Sequence, residues 1–455
     1  MLLSTFLPAS SKCSENFVRL AKWCPDGSTA LAQSENQTFH FLDLPPELQS
    51  ISLSHISPIT KTINSSFTRS FRQSSPILDF AWYPQATVQN PASFCFVASV
   101  RDTPVRLLDA GDGRLRASYK IVDHRERQVA PHSLAFNLTA DKLYCGFESA
   151  IEIFDVNRPG DGTRLLTSPN KKSRDGMKGI ISSLAFSPST PTSFYAAGTL
   201  VPTISSIALY DASVDEVVMY LGLGNSERRK AGGGVTQLCF NPLKPHMLYA
   251  SFRRCGSIYA WDLRGGSTDG QPLYKYHFAE LDSGGRKMTN QRLRFDVDIG
   301  GRWLGIGNQN GDVSLFDLDH ESVVEAETEN DLGYGDSVQE IAPTFTFKAH
   351  EDAIGSVSFH PLHPLLLSVS GSRHFTVPSS KSRPSNSEFS SDSNSESEDA
   401  DASDDCSVDE GFSREKSMDG VRRIPHGVRP YTLDSCIRMW GFGDSDGSDR
   451  DTCGS

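Results

Sequence analysis

The chain has 455 residues, of which 37% are hydrophobic, and its formal net charge is −12. No apolar run approaches the length of a membrane span, which excludes a spanning helix. The nine cysteines form no C-x-x-C pair, and no histidine cluster has zinc spacing, so we expect a reducing compartment, cytosol or nucleus, and no metal.

The acidic charge is concentrated in two short segments. Residues 379–420 contain twelve acidic and four basic residues, and residues 441–455 contain four acidic and one basic residue. These two segments have net charges of −8 and −3, and therefore account for −11 of the total of −12. The rest of the chain is nearly neutral, so a basic patch on it would not be surrounded by acidic residues. The low net charge therefore does not exclude nucleic acid as a partner.

A short motif that ends near an aromatic residue recurs seven times along the chain. The spacings between successive aromatic positions are 59, 54, 50, 54, 55 and 64 residues, a loose period that is typical of propellers and arrays. In chain order these positions are Trp23, Trp82, Phe136, Phe186, Phe240, Phe295 and Phe359.

A second element with alternating apolar and polar residues follows each copy. Six of the seven close with Asp, and the seventh ends at Trp440 without one. Period-two alternation predicts strands, and turn residues lie between the two elements. Seven units of an inner, a middle and a third strand predict an all-β, seven-bladed β-propeller.

The repeat pattern resembles the WD-repeat family, although only Trp261-Asp262 preserves the literal dipeptide. The alternative is a β-sandwich with chance repetition. The apolar N-terminal segment, residues 1–7, is expected to complete the last blade, because ring closure hides strand edges. A signal peptide is the rival interpretation, but no basic residue precedes the short apolar run.

The predicted organisation in chain order has four parts. Residues 1–378 form blades one to six and the first half of blade seven. Residues 379–430 form a disordered insertion, because 14 of the 42 residues from 379 to 420 are serine and the segment is strongly acidic. Residues 431–440 supply the remaining strand of blade seven, and residues 441–455 form a disordered acidic tail.

The loops that enter the blades are rich in basic residues. In WD-repeat propellers these loops share one face with the loops between second and third strands. Arginine and lysine on such a face are the residues that hold RNA phosphates. We therefore predict phosphate contacts by Arg125, Arg127, Lys171, Lys172, Arg174, Arg228, Arg229, Lys230, Arg253 and Arg254.

Aromatic and amide side chains on the same loops predict base recognition. Phe147 or Phe252 would stack on a base, and Asn290, Gln291 or Arg292 would bind a base edge. In the alternative, the two phenylalanines cap the core, and the polar run at 290–292 braces blades five and six.

The sequence has no motif for catalysis. It lacks a Gly-x-Ser-x-Gly elbow, a phosphate-binding Gly-x-x-x-x-Gly-Lys loop and a His-Glu-x-x-His pair. We predict no catalytic residue, no cofactor and no small-molecule substrate. By charge pattern alone, a protein-interaction scaffold is favoured over a nucleic-acid binder, because a basic stripe is only an electrostatic footprint.

Several longer strings resemble the telomerase Cajal body protein family, and the resemblance spans blades one to seven. The strings are residues 15–28, Leu44-Pro45-Pro46-Glu47-Leu48, residues 113–119, Tyr144-Cys145-Gly146-Phe147, residues 179–188 and Thr289-Asn290-Gln291-Arg292-Leu293-Arg294-Phe295-Asp296. Departures from the family pattern are a chain that begins almost at the propeller and the acidic insertion.

This resemblance implies a nuclear RNA-binding propeller. Such a protein recognises the CAB box, a short loop element of small Cajal-body (H/ACA-type) RNAs and of animal telomerase RNA, and delivers these particles to Cajal bodies. The implied partners are those RNAs, their ribonucleoprotein subunits and other nuclear proteins, with no membrane; the cytoplasm stays open as a further location. The alternative is a scaffold in nuclear RNA processing, such as splicing, without direct RNA readout.

Overall fold

The computed structural model of the protein is a ring of seven antiparallel β-sheets, which confirms the predicted seven-bladed propeller. Within the described part of the chain, no helix has the length and hydropathy that a membrane crossing needs. The structure describes residues 2–6, 15–44, 63–65, 67–170, 173, 175–189, 194–203, 205–224, 227, 233–264, 270–279, 289–319, 338–375 and 430–442.

Thirty-two strands are assigned over these residues. In chain order they are β1 (Leu2–Phe6), β2 (Val18–Trp23), β3 (Thr29–Ser34), β4 (Thr38–Asp43), β5 (Ile63–Ser65), β6 (Arg69–Arg72), β7 (Ile77–Trp82), β8 (Cys95–Val100), β9 (Val105–Asp109), β10 (Leu115–Tyr119), β11 (Ser133–Phe136), β12 (Lys142–Phe147), β13 (Ala150–Asp155), β14 (Thr163–Leu166), β15 (Ile181–Phe186), β16 (Phe194–Thr199), β17 (Ile207–Asp211), β18 (Glu216–Leu221), β19 (Val235–Phe240), β20 (Met247–Phe252), β21 (Ser257–Asp262), β22 (Tyr274–His277), β23 (Asp296–Val297), β24 (Trp303–Gly307), β25 (Asp312–Asp317), β26 (Gln339–Ile341), β27 (Phe345–Lys348), β28 (Ile354–Phe359), β29 (Leu365–Ser370), β30 (His374–Phe375), β31 (Pro430–Tyr431) and β32 (Ile437–Gly441).

Each blade is a sheet in which the first strand of the repeat lines the ring's channel and the others follow outward. From the channel outward, the blades are β2-β3-β4-β6, β7-β8-β9-β10, β11-β12-β13-β14, β15-β16-β17-β18, β19-β20-β21-β22, β23-β24-β25-β27 and β28-β29-β32-β1. Two blades gain a parallel fifth strand at the outer edge, since β26 pairs with β22 and β5 pairs with β1.

The last blade is built from both ends of the described chain. Strand β1 pairs antiparallel with β32, with Leu2 opposite Trp440 and Phe6 opposite Ile437. The N-terminal segment is therefore the fourth strand of a blade whose first three strands come from the C-terminal part. This pairing covers an edge that an open ring would expose.

The hydrophobic core consists of layers between neighbouring blades. In the layer between blades one and two, Phe39 packs edge-on against Phe80 and Phe96, with ring centroids 5.6 and 5.2 Å apart. Phe41 in the same strand packs against Trp82. Burial of large aromatic side chains from facing sheets holds adjacent blades together.

Polar side chains that line the channel add bonds between neighbouring blades. In five places a side-chain oxygen on one inner strand accepts a hydrogen bond from a backbone N–H of the next blade's inner segment, at 2.8–3.1 Å. The acceptor and donor pairs are Asp79 and Leu134, Ser183 and Leu238, Gln237 and Phe295, Asp296 and Phe359, and Ser356 and Ala21.

Blade six has an inner strand of only two residues, β23. The backbone before it pairs with blade seven instead, because Arg294 N–H donates to Gly355 O at 3.0 Å and Val357 N–H donates to Arg294 O at 3.2 Å. The repeat at 293–296 was predicted as an ordinary inner strand, and this lateral pairing is where it departs from the other six copies.

A separate small unit, residues 374–431, interrupts blade seven in sequence. Its described part is the antiparallel pair β30 and β31, with His374 opposite Tyr431. Residues 379–429 of the predicted disordered insertion, and residues 443–455 of the predicted tail, lie outside the described residues.

Candidate nucleic-acid interface

One face of the ring carries the loops that enter the inner strands and the loops that join second to third strands; we call it the loop face. At its centre is a cavity of 530 Å³, here called the channel mouth. Its lining comes from blade one, from Leu78 of blade two, from the segment that enters blade six and from the residues that follow the second strand of blade seven. Its charged lining residues are Arg19, Arg292, Arg294 and Arg373. A smaller cavity of 190 Å³ lies along the inner strands and shares Arg294 with the mouth.

Two of the four arginines in the mouth share one carboxylate. Glu35 pairs with Arg19 and also with Arg373. The Arg294 guanidinium donates to the backbone oxygen of Thr236 at 3.1 Å. Burial lowers the pKa of Arg294.

Arg292 differs from its neighbours because its guanidinium has no hydrogen-bond or ion-pair partner among the described residues. Its pKa is lowered to about 10, mainly by burial; the positive charges of Arg294, Arg253 and Arg19 contribute to the lowering, and the Asp79 carboxylate opposes it. A half-buried cation among like charges is a place where a bound anion is stabilised.

The polar residues before Arg292 connect blades. The side-chain oxygen of Asn290 accepts a hydrogen bond from Arg254 in the second-to-third-strand loop of blade five. The side-chain nitrogen of Gln291 donates to Gly371 O in blade seven at 3.0 Å. The Asn290 contact joins blades five and six, as in the brace that was the alternative for this run, whereas the Gln291 contact joins blades six and seven. Base-edge contact by the same residues stays a prediction.

Arg253 and Arg254 lie together after β20. Arg254 has a left-handed backbone, with φ of 60°, in a tight turn, and it reaches Asn290 across the blade boundary. Arg253 acts electrostatically on Arg292. The structure therefore brings five predicted RNA-binding residues, at 253, 254 and 290–292, to one side of the channel mouth.

Arg125 and Arg127 lie in the loop that enters blade three. Their backbone N–H groups both donate to Asp123, and the Arg127 guanidinium binds the same carboxylate at 2.9 Å. These contacts, with the backbone hydrogen bond from Arg127 first, lower the pKa of Asp123 to about 2. Arg125 is exposed, so this loop offers one exposed guanidinium and one that is paired.

Phe147 and Phe252 end the second strands of blades three and five, and both are buried, at 7% and 5% exposure. Arg164 lies over the Phe147 ring at 5.2 Å, and Phe252 packs edge-on against Tyr259. Neither ring is an exposed stacking platform in this structure; their positions match the alternative in which they cap the core.

Six other predicted phosphate contacts lie outside the described residues. They are Lys171, Lys172, Arg174, Arg228, Arg229 and Lys230.

The predicted site residues do not include Arg19 and Arg294, whereas the sequence places Arg373, like Arg253 and Arg254, among the basic residues of the second-to-third-strand loops. A signal for Arg294 is present in the repeat, because the position before the aromatic residue is Ala in three copies and Cys or Ser in two others. Only Lys22 and Arg294 place a charge there, and both line the 190 Å³ cavity. A charge at a position that is otherwise small predicts a side chain that projects into the channel.

His350, Asp434 and Cys436 bring three potential metal ligands within 4.8 Å of one another in blade seven. The His350 ring is bound on both sides, by Asp434 at Nδ1 and by Ser368 at Nε2, and Trp440 Nε1 donates to the same serine. These hydrogen bonds explain why the three residues lie together: they form a buried network that holds β32, the third strand of blade seven, in place.

Comparison with known proteins gives a consistent set of relatives. The chain is 33% identical over 370 residues to telomerase Cajal body protein 1 of Mesocricetus auratus, which covers 80% of this chain and 60% of that protein. It is 31% identical to the Homo sapiens protein of that name, over 80% of this chain and 58% of that protein. The Drosophila melanogaster homolog is 27% identical over 81% of this chain and 59% of that protein.

The chain thus spans about 60% of the length of the curated relatives it matches. A guanine nucleotide-binding protein negative regulator of Schizosaccharomyces pombe is 27% identical over 62% of this chain and 66% of that protein. No family model matches the chain.

Proposed function

From its 31–33% identity to telomerase Cajal body proteins over 80% of its length, we propose that this chain is a member of that family and a non-catalytic RNA-binding protein that recognises the CAB-box loop. Its ligands would be small Cajal-body RNAs of the H/ACA type and telomerase RNA. By binding them it would direct these particles to Cajal bodies in the nucleus, in support of telomere maintenance or of small nuclear ribonucleoprotein assembly.

The observation that carries the proposal is the cationic loop face around the channel mouth. Arg253, Arg254 and Arg292 converge there from two blades. Arginine suits this role because its planar guanidinium presents several donors to phosphate oxygens. The phosphate contacts predicted for Lys171, Lys172, Arg174, Arg228, Arg229 and Lys230 belong to the same proposal, although they lie outside the described residues.

The test is direct binding of the purified full chain to two RNA hairpins near physiological salt. One hairpin carries an intact CAB loop, and in the other the loop is scrambled at equal length and composition. We expect a preference of at least about tenfold for the intact loop, because loop bases are read by hydrogen bonds and stacking that a scrambled loop loses. Fluorescence anisotropy with labelled hairpins gives both affinities.

Equal affinity for the two hairpins, or no binding, would contradict CAB-box recognition. It would favour the alternative, a protein-interaction scaffold in nuclear RNA processing. In that case pull-downs of partners from nuclear extract would be insensitive to ribonuclease, whereas an RNA-dependent protein would lose them.

A further inference from the structure

The channel mouth has more positive charge than nearby carboxylates balance. Its described lining contains four arginines and no carboxylate. Glu35 is the acidic partner of two of them, and the Asp79 carboxylate, outside the lining, acts on Arg292 and Arg294, so these six groups together have a charge of +2, from four cations and two anions. A surplus of this size in a concave site concentrates anions from solution.

The mouth is also preformed. Gly355 lies where the inner strands of blades six, seven and one meet, and an added Cβ would lie 2.5 Å from Arg19 O and 3.4 Å from Nε2 of Gln291. Gln291 is in turn held by Gly371. Close backbone packing therefore fixes the positions from which Arg19 and Arg292 enter the cavity.

The size and donors of the mouth match a phosphate group. Its 530 Å³ lie within the range of small-ligand sites, roughly 300–1,000 Å³. The Arg292 guanidinium is without a described partner, and Arg294 makes one backbone hydrogen bond. Both side chains keep N–H donors for a tetrahedral oxyanion, which arginine binds through two donors at once.

We propose that the channel mouth is a phosphate site, in which Arg292, supported by Arg294 and Arg373, holds one phosphate group of the RNA strand bound on the loop face. The inference rests on the proposed function, since RNA is the source of the phosphate. It adds that the strand enters the mouth of the central channel and does not only cross the surrounding loops. A free polyphosphate shares the same chemistry, and the experiment separates the two sources.

The first measurement uses inorganic pyrophosphate as the probe and calorimetry of the full chain. We expect one bound pyrophosphate per chain, and Arg292→Ala should weaken it roughly 10- to 100-fold, as expected when a charged hydrogen-bond donor is removed. Arg158→Ala is the matched control, because Arg158 is an exposed arginine between β13 and β14 at the opposite face. It should leave pyrophosphate binding unchanged.

The second measurement is the salt dependence of hairpin binding. Removing one phosphate contact lowers the slope of log affinity against log salt by about 0.7 to 0.9. We therefore expect Arg292→Ala to weaken both the intact and the scrambled hairpin by a similar factor and to flatten the slope by about that amount. Circular dichroism and the thermal midpoint of each variant show that the ring stays folded.

The outcomes separate this inference from the proposed function. If the wild type prefers the intact CAB loop, but Arg292→Ala changes neither the slope nor pyrophosphate binding, the phosphate site is refuted and CAB-box recognition stands. If no RNA binds, but pyrophosphate binds and Arg292→Ala abolishes it, the mouth is a site for free polyphosphate and its RNA source is refuted. If the wild type binds neither probe, both ideas fail.

Discussion

The hydrogen bond from Leu134 N–H to Asp79 supports the contact between blades two and three, and its removal has a calculable cost. Asp79 accepts this bond at 3.0 Å and lies 3.7 Å from the Lys22 ammonium. A buried N–H left without an acceptor costs about 1–3 kcal/mol. The Lys22 side chain is 38% exposed to the channel, so solvent screening limits the ion pair to about 1 kcal/mol.

We therefore expect Asp79→Ala to lower the free energy of unfolding by about 2–4 kcal/mol. Asp79→Asn keeps an oxygen acceptor and loses only the charge, and should cost about 1 kcal/mol. Lys22→Met combined with Asp79→Ala should cost less than the sum of the single changes, because the ion pair is lost only once. Urea unfolding followed by tryptophan fluorescence gives the free energies of Asp79→Ala, Asp79→Asn, Lys22→Met and the double variant.

The reasoning is wrong if Asp79→Ala costs less than 1 kcal/mol, the lower end of the range for an unpaired buried N–H. It is also wrong if the Lys22 and Asp79 changes are strictly additive, since residues that interact show coupling in such a cycle. Additivity would mean that the two side chains act independently in the channel.

Two further outcomes follow from the packing and from the buried histidines. Gly355→Ala should destabilise the ring by about 1–3 kcal/mol through overpacking, because the new Cβ would lie 2.5 Å from Arg19 O. Gly160→Ala is the control and should leave the thermal midpoint unchanged, because the nearest atom to its new Cβ is 3.9 Å away. Equal midpoints for the two variants would show that the strand at Gly355 shifts freely. Burial lowers the pKa of His40 and of His360 to about 4. Between pH 6.5 and 4 the unfolded chain therefore binds more protons than the folded chain. Each histidine should lower the free energy of unfolding by about 2 kcal/mol when the pH falls from 7 to 5. Urea midpoints at both pH values test this, and His40→Gln should lose less stability than the wild type; an identical loss would exclude His40 as a cause.

The fold could be predicted because a propeller repeats one local pattern. Each inner strand ends near an aromatic residue, and each third strand alternates polar and apolar side chains, so seven independent segments carry the same signal. The lateral pairing of Arg294 with blade seven could not be predicted in this way, because it depends on which neighbouring backbone lies closest.

The candidate site could be predicted only in part. Arg253, Arg254 and Arg292 were found because loop positions follow from the strand boundaries. Phe147 and Phe252 are strand-end residues, and which side of a sheet such a residue faces depends on register and twist. Their burial could not be derived from composition. Arg19 was missed because it lies within an inner strand and reaches the channel mouth from there.

The last blade also has a consequence for the time course of biosynthesis. Strand β1 leaves the ribosome well before its partner β32, which begins at Ile437, 431 residues after Phe6. At translation rates of roughly 5–20 residues per second, β1 waits about 20–90 s for that partner. During this interval its backbone N–H and C=O groups are free to pair with other nascent chains. A holdase chaperone that binds β1 as it emerges would therefore raise the yield of closed rings, whereas one that acts only after release would act too late.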